Sequence, residues 1–214
     1  MNGPITISSL SKRTMIPESL ITTVVFDLVE KGLIKNFNSE QFEITRNQRL
    51  NLAILSLKNG VGIERVCQAV GWREFEDLVA LILEESEYQV ITHFRFHDLK
   101  RRHEIDVLGS KSSLILAIEC KHWKQNWKPY AITTVVQTQM KRTQALTLSL
   151  PQLEKKLHLK LTRELKLMPV VVTLSDTPFK ILNKIPVVPI FHLNNFLTEM
   201  HGYTNELMIV SIQS

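Results

Sequence analysis

The 214-residue chain has only two cysteines, Cys67 and Cys120, each set in an apolar pattern. So few exclude a disulfide framework or a cysteine-ligated zinc site as an organising feature, and they fit a reducing compartment. No uninterrupted apolar stretch approaches the roughly 20 residues that a membrane span needs. The N-terminus, Met1 to Ile7, lacks the basic and apolar regions of a secretory signal, so the expected setting is cytoplasmic with no membrane partner. Repeats and low-complexity segments are absent as well, which leaves an ordinary globular composition. His93, His97, His103 and His122 fall on or beside predicted strands, but none has the close paired spacing of a zinc motif.

What the chain does have is an uneven charge. The formal net charge is +5. Residues 1–70 carry 8 basic and 6 acidic side chains, residues 71–130 carry 9 and 10, and residues 131–214 carry 9 and 5. An acidic centre flanked by basic segments suits a cation site within a surface that attracts polyanions.

Residues 5–50 read as a small helical domain. A short helix over Ser8–Arg13 precedes a longer one from Pro17 to Lys31, with proline in its favoured first turn. Leu20, Ile21, Val24, Val25, Leu28 and Val29 recur at helical spacing, and Gly32 closes the helix. Leu33–Phe37 and Gln41–Thr45 then read as a hairpin across a polar turn. Two helices followed by a two-stranded ribbon resemble a winged helix-turn-helix domain, expected over 1–50. Lys12, Arg13, Lys35 and Arg46 are its candidates for binding DNA phosphates, which would position a duplex without reading its sequence. In the candidate reading helix only Ser19, Thr22, Thr23 and Lys31 are polar enough to face a groove, so packing or dimerisation is the competing use of this segment. Helices over 46–58 and 63–70 are expected to connect it, through residues 51–71, to a main domain over 72–214.

The main domain reads as an α/β order with a mixed sheet. A helix over Arg73–Ser86 buries Phe75, Leu78, Val79, Ile82 and Leu83, and a strand over Tyr88–Phe96 follows. The next two strands carry the chemistry. Leu114–Lys121 is apolar enough for a buried central strand, yet ends in Glu119 and Lys121, which share a face because side chains alternate along a strand. Charges there are costly unless something pairs or ligates them. Asp106 lies thirteen positions upstream of Glu119 in the run His103–Leu108. The polar turn Gly109–Ser113 makes the two runs a hairpin that brings Asp106 beside Glu119. Glu104 shares the face of Asp106, and a simple ion pair between Glu119 and Lys121 is the plainer alternative. Two carboxylates and a lysine on adjacent strands are what metal-dependent phosphodiester cleavage requires. The loop after Lys121 interleaves Trp123 and Trp127 with Lys124 and Lys128, a pattern that suits contact with nucleic acid. A helix over 131–148, a helical stretch over 152–164, strands over 170–174 and 186–191 (the second at an edge, given its prolines) and a helix over 193–200 complete the domain.

The helix with Phe75–Glu–Asp–Leu–Val79, the hairpin with Glu104–Ile–Asp106 and the strand ending Glu119–Cys–Lys–His–Trp123 together resemble the PD-(D/E)XK nuclease superfamily, nearest to Mrr-type restriction nucleases and archaeal Holliday junction resolvases. The resemblance implies a restriction-endonuclease-like mixed sheet flanked by helices, preceded by the small winged-helix domain. It implies a DNA endonuclease using Mg²⁺ or Mn²⁺ and no small-molecule cofactor, with a homodimer as the assembly. Asp106 and Glu119 would hold the metal, Lys121 would act on the attacking water or the phosphate, and Glu76 would be a further ligand. Glu74, Asp77 and Glu84 lie close enough in sequence to compete with Glu76. Related nucleases often place a glutamine from the following helix in the site. Gln139 is favoured over Gln137 because it lies nearer the apolar side, beside Val136, Met140 and Thr143. A catalytically silent DNA-binding scaffold and an RNA-processing endonuclease are the alternative functions.

Overall fold

The computed structural model describes residues 5–34, 37–38, 41–98, 101–123, 128–149 and 165–212. The chain divides into two compact units, Met1–Val61 and Gly62–Ser214. Among the described residues no helix is long and apolar enough to cross a membrane.

In the N-terminal unit, β1 (Ile5–Thr6) leads into α1 (Ile7–Thr14) and α2 (Glu18–Glu30), followed by β2 (Phe37–Asn38), β3 (Gln41–Phe42) and α3 (Arg46–Lys58). Thr6 and Ser9 cap α1 reciprocally, as Thr45 and Gln48 cap α3, so each helix start satisfies its own free amides. Gly32, at a φ of 69°, turns the chain out of α2 while the Leu33 amide returns to the Leu28 carbonyl. That left-handed position suits glycine, as at many helix ends. The three short strands form an antiparallel sheet in the order β1-β3-β2. Ile7, Ile21, Val25, Ile34 and Phe42 make the core. Outside that core, Leu20, Val24 and Phe26 of α2 are each about half exposed. The exposed surface of the helix therefore mixes these apolar side chains with Glu18, Ser19, Thr23, Asp27 and Glu30, and carries no basic group before Lys31.

The C-terminal unit begins with α4 (Ile63–Ala69) and α5 (Trp72–Glu85). Its strands are β4 (Gln89–His97), β5 (Arg102–Lys111), β6 (Leu114–Lys121), β7 (Leu165–Thr173), β8 (Ile181–Leu182), β9 (Ile185–Pro189) and β10 (Val210–Ile212). Helix α6 (Pro129–Leu146) follows β6, and α7 (Leu193–Glu199) follows β9. The sheet order is β4-β5-β6-β7-β9-β8, with β10 paired to β7. The β4, β5 and β6 pairs are antiparallel, whereas β6 with β7 and β7 with β9 are parallel. The result is a mixed α/β sheet flanked by helices.

The centre of this sheet is buried on both faces, as parallel sheets usually are. Ile115 and Ala117 pack with Leu146 of α6. By alternation Leu116, Ile118 and Cys120 take the other face, and all are fully buried or nearly so. On α5, Phe75, Leu78, Val79 and Leu83 are sealed from solvent. Burial of one face per element accounts for most of the predicted pattern. Three strands were not predicted. β1, β8 and β10 are two or three residues long and have no periodicity to read. The edge position expected for 186–191 belongs instead to β8, which pairs outside β9 through Ile181–Pro186 and Leu182–Ile185. The helical stretch expected over 152–164 lies outside the described residues.

The three tryptophans, Trp72, Trp123 and Trp127, all fall within Gly62–Ser214, so their fluorescence reports on the unfolding of that unit. Ile118→Ala removes a fully buried side chain from the central strand. It should lower the stability of this unit by about 2–5 kcal/mol in urea titrations read by tryptophan fluorescence. A loss well under 1 kcal/mol would contradict a tightly packed sheet centre.

Candidate active site

The site grows out of the end of the β5–β6 ladder. The last paired positions at this end are Val107 and Ile118. One step further in the same register sets Asp106 opposite Glu119, but there the ladder gives way. The Cys120 amide instead donates to Asp106 Oδ2 at 2.8 Å. A side chain thus replaces a backbone carbonyl as acceptor, and both carboxyl groups are held beside the point where the strands part.

Glu119 is nearly sealed from solvent, which an unneutralised carboxylate would tolerate poorly. Both of its oxygens have cationic partners. Lys121 Nζ donates to Oε1 at 2.6 Å, and the Arg142 guanidinium, reaching in from α6, donates to Oε2. Arg142 was not among the predicted site residues. A signal existed: Arg142 stands three residues after Gln139, hence on the same side of the helix. Gln139 is fully buried and donates from Nε2 to the Ala117 carbonyl at 2.6 Å. It braces α6 against the strand two residues before Glu119.

Asp106 has its pKa raised to about 6, chiefly because burial disfavours its charge and then because Glu119 is close. The Cys120 amide, Lys121 and Arg142 act in the opposite direction. Glu104, on the same strand, is shifted the other way: a hydrogen bond from Arg95 holds its pKa below the usual carboxylate value. Arg95 Nε lies 2.8 Å from Glu104 Oε2. The two carboxylates that sequence left in competition thus stand in different surroundings, one tied to β4 and the other facing Glu119.

Glu76, on α5, is fully buried, and His93 Nε2 lies 3.8 Å from its Oε2. Of its rivals, Glu74 is also buried, Asp77 is half-buried and Glu84 is exposed. His93 occupies the β4 position opposite Asp106 in register and has a left-handed φ of 53°. Its Nδ1 lies 3.6 Å from Glu104 Oε1. That conformation is uncommon for histidine and interrupts the β4–β5 pairing beside the site. The buried Cys120 thiol has its pKa raised well above normal, first by burial and then by Asp106, Glu76 and Glu119. All three carboxylates therefore act on one point in the sheet.

Among the described residues, no three histidine, cysteine or acidic side chains already stand in a metal-coordinating arrangement. The donor chemistry nevertheless fits a hard divalent cation. Asp106 and Glu119 offer oxygen ligands on adjacent strands, and a cation there would offset both causes that raise the pKa of Asp106, its burial first and then the nearby charge of Glu119. Two of the other predicted-strand histidines are engaged elsewhere. His103 shares a 2.8 Å hydrogen bond with Asp98, and His122 lies 2.8 Å from the Cys67 carbonyl. Of the predicted phosphate contacts, Lys12 and Arg13 are exposed in the last turn of α1, Arg46 opens α3, and Lys128 is exposed before α6. Lys35 and Lys124 lie outside the described residues.

Residues 67–150 match a family model described as a restriction endonuclease, the Mrr catalytic domain, a span that takes in α5, the β4–β6 strands and α6. An uncharacterized protein of Archaeoglobus fulgidus is 26% identical over 136 residues, covering 63% of this chain and 95% of its own length. Two solved structures are similar in part. Protein of unknown function AF1548 is 19% identical at a TM-score of 0.32, covering 48% of this chain. Protein VC1899 from Vibrio cholerae is 15% identical at a TM-score of 0.39, covering 96% of this chain. The chain spans about half the length of each of these two, 46% and 47%.

The raised pKa of Asp106 gives a pH dependence of definite sign. The folded protein holds this proton more tightly than the unfolded chain does, so the associated stability is complete below about pH 4 and is lost by about pH 6. In chelator-treated buffer, Asp106→Asn should be more stable than wild type at pH 7 by about 1–3 kcal/mol. The difference should vanish near pH 4. Denaturant titrations across that range provide the measurement, and a variant less stable at pH 7 would refute the assigned cause.

Proposed function

We propose that the chain is a divalent-metal-dependent DNA endonuclease, a reading supported by the match of residues 67–150 to the Mrr-type restriction-endonuclease model, consistent with the PD-(D/E)XK nuclease superfamily. The observation that carries this reading is the placement of Asp106 near Glu119 just beyond the last β5–β6 pair, Val107 with Ile118, with Lys121 Nζ 2.6 Å from Glu119.

Each residue has a chemical role in that reading. Asp106 and Glu119 would hold Mg²⁺ or Mn²⁺, with Glu76 as an additional acidic group. Bound there, the metal supplies an acidified water and counter-charge for the phosphorane-like transition state. Lys121 orients the attacking water or takes its proton. The water oxygen bonds to phosphorus as one ester oxygen departs and collects a proton. Lys121 is about a quarter exposed, close enough to solvent to exchange protons and buried enough to hold its place. Gln139 positions α6 against β6 and so sets the back wall of the site.

The N-terminal unit is read here as a winged-helix module. Lys12, Arg13 and Arg46 would meet phosphates and orient the duplex, while the exposed Leu20, Val24 and Phe26 of α2 argue against base reading by that helix. Two chains acting together would cut both strands, so a homodimer is the proposed assembly.

Purified protein incubated with plasmid, branched DNA and RNA should cut DNA in Mg²⁺ or Mn²⁺ and stop in EDTA. Lys121→Ala should lower the rate by about 10²–10⁴-fold, the usual range for a lost proton-transfer group. Cutting that survives EDTA or Lys121→Ala would sink the metal mechanism. RNA cleavage without DNA cleavage would move the substrate class. Tight, salt-sensitive DNA binding without any cutting would favour a silent scaffold.

A further inference from the structure

Both carboxylate oxygens of Glu119 already face a cationic partner. Lys121 holds Oε1, and the Arg142 guanidinium holds Oε2. Lys121 is two residues away on the same strand and belongs to the reading above. Arg142 comes from a different element, α6, whose neighbouring turns are anchored. Gln139 is bonded to the Ala117 carbonyl, and Thr143 and Leu146 are fully buried. The helix is therefore fixed, and only the long Arg142 side chain, about a quarter exposed, is free to redirect its head group.

The charges also need explaining. Asp106, Glu119, Lys121 and Arg142 sum to zero when both carboxylates are ionised. Arg142 thus does for Glu119 what a metal ion would do, and it helps to lower the pKa of Asp106 as well. When Glu119 is committed to a divalent cation, the guanidinium loses its carboxylate and faces a site with surplus positive charge. Its planar fork of donors matches phosphate oxygens as well as carboxylate oxygens, which an ammonium cannot do in two-pronged fashion. The bound partner that restores both charge and geometry is an anionic phosphodiester.

Resting on the nuclease reading above, we propose that Arg142 is a phosphate-binding residue of this site, held by Glu119 until that carboxylate is committed to a metal ion. The ion pair neutralises the buried acid in the metal-free protein, and it is exchanged when metal and DNA are both present. Metal and Arg142 accordingly compete for Glu119, whereas Arg142 and DNA support each other.

The test separates charge from donor geometry, using the full-length protein with Mn²⁺ as the probe. Mn²⁺ affinity is read by calorimetry and by the electron paramagnetic resonance of the free ion, and cleavage of plasmid DNA is read in parallel. Arg142→Gln removes the competing charge and should tighten Mn²⁺ binding roughly tenfold, the scale of one charge interaction partly screened by water. The same variant should cut DNA at least about tenfold more slowly. Arg142→Lys retains the charge without the fork, so its Mn²⁺ affinity should stay close to that of wild type while cleavage falls. Unfolding curves confirm that both variants are folded, and the lysine variant keeps the test available if the glutamine variant is not. Unchanged or weaker Mn²⁺ binding in Arg142→Gln, or full cleavage by Arg142→Lys, would overturn the proposal. Glu119→Gln serves as the separate control. If it binds Mn²⁺ as wild type does, the assignment of the metal site itself fails, whatever Arg142 does.

Discussion

The amide of Cys120 donating to Asp106 Oδ2 is the contact on which the site depends. Backbone pairing between β5 and β6 ends at Val107 and Ile118, and an unpaired amide in a buried sheet would be costly. The Asp106 carboxylate fills that vacancy and in doing so is fixed beside Glu119. Everything else at the site answers the charge this creates. Lys121 and Arg142 converge on Glu119, and Asp106 holds a proton more readily than a solvated carboxylate would. The order of causes runs from ladder to carboxylate to cation.

The same contact explains how acids can sit in a sheet whose centre is apolar. Leu116, Ile118 and Val171 make the middle of the sheet dry, and dryness strengthens every interaction among the charges at its end. The helices stand on that dry centre. α5 brings Glu76 and the adjacent Phe75, and Phe75 meets His122 edge-on at 5.4 Å. α6 brings Gln139 and Arg142. A helix that lost its packing would take a charged or hydrogen-bonding group with it, so the stability of the sheet and the geometry of the site are coupled.

How far the chain could be read in advance depended on the kind of signal. Asp106, Glu119 and Lys121 were legible as a group because strand alternation and a short polar turn are local rules, and local rules suffice to place a hairpin. Helix α5 was legible from the spacing of Phe75, Leu78, Val79 and Leu83. Arg142 was not, because helical periodicity names a face of α6 without naming the strand residue that this face will meet. The left-handed conformation of His93 was hidden for a related reason: nothing in Val90–Phe96 departs from a strand pattern, and only the surroundings of Glu76 and Glu104 single the residue out. β1, β8 and β10 are too short for propensity to matter and exist because a neighbouring edge offers them partners. On α2, apolar spacing gave the helix, but Leu20, Val24 and Phe26 on its open side do not belong to its own core.

The parallel pairing of β6 with β7 has a consequence in time. β5 and β6 are joined by a turn at Ser112 and can pair as soon as both have been synthesised, but β7 reaches β6 only across the intervening residues 122–164. Pairings between distant segments form slowly because the chain must first give up the entropy of the loop it closes. Asp106 and Glu119 would therefore meet early in folding, before α6 has docked and brought Arg142 to them.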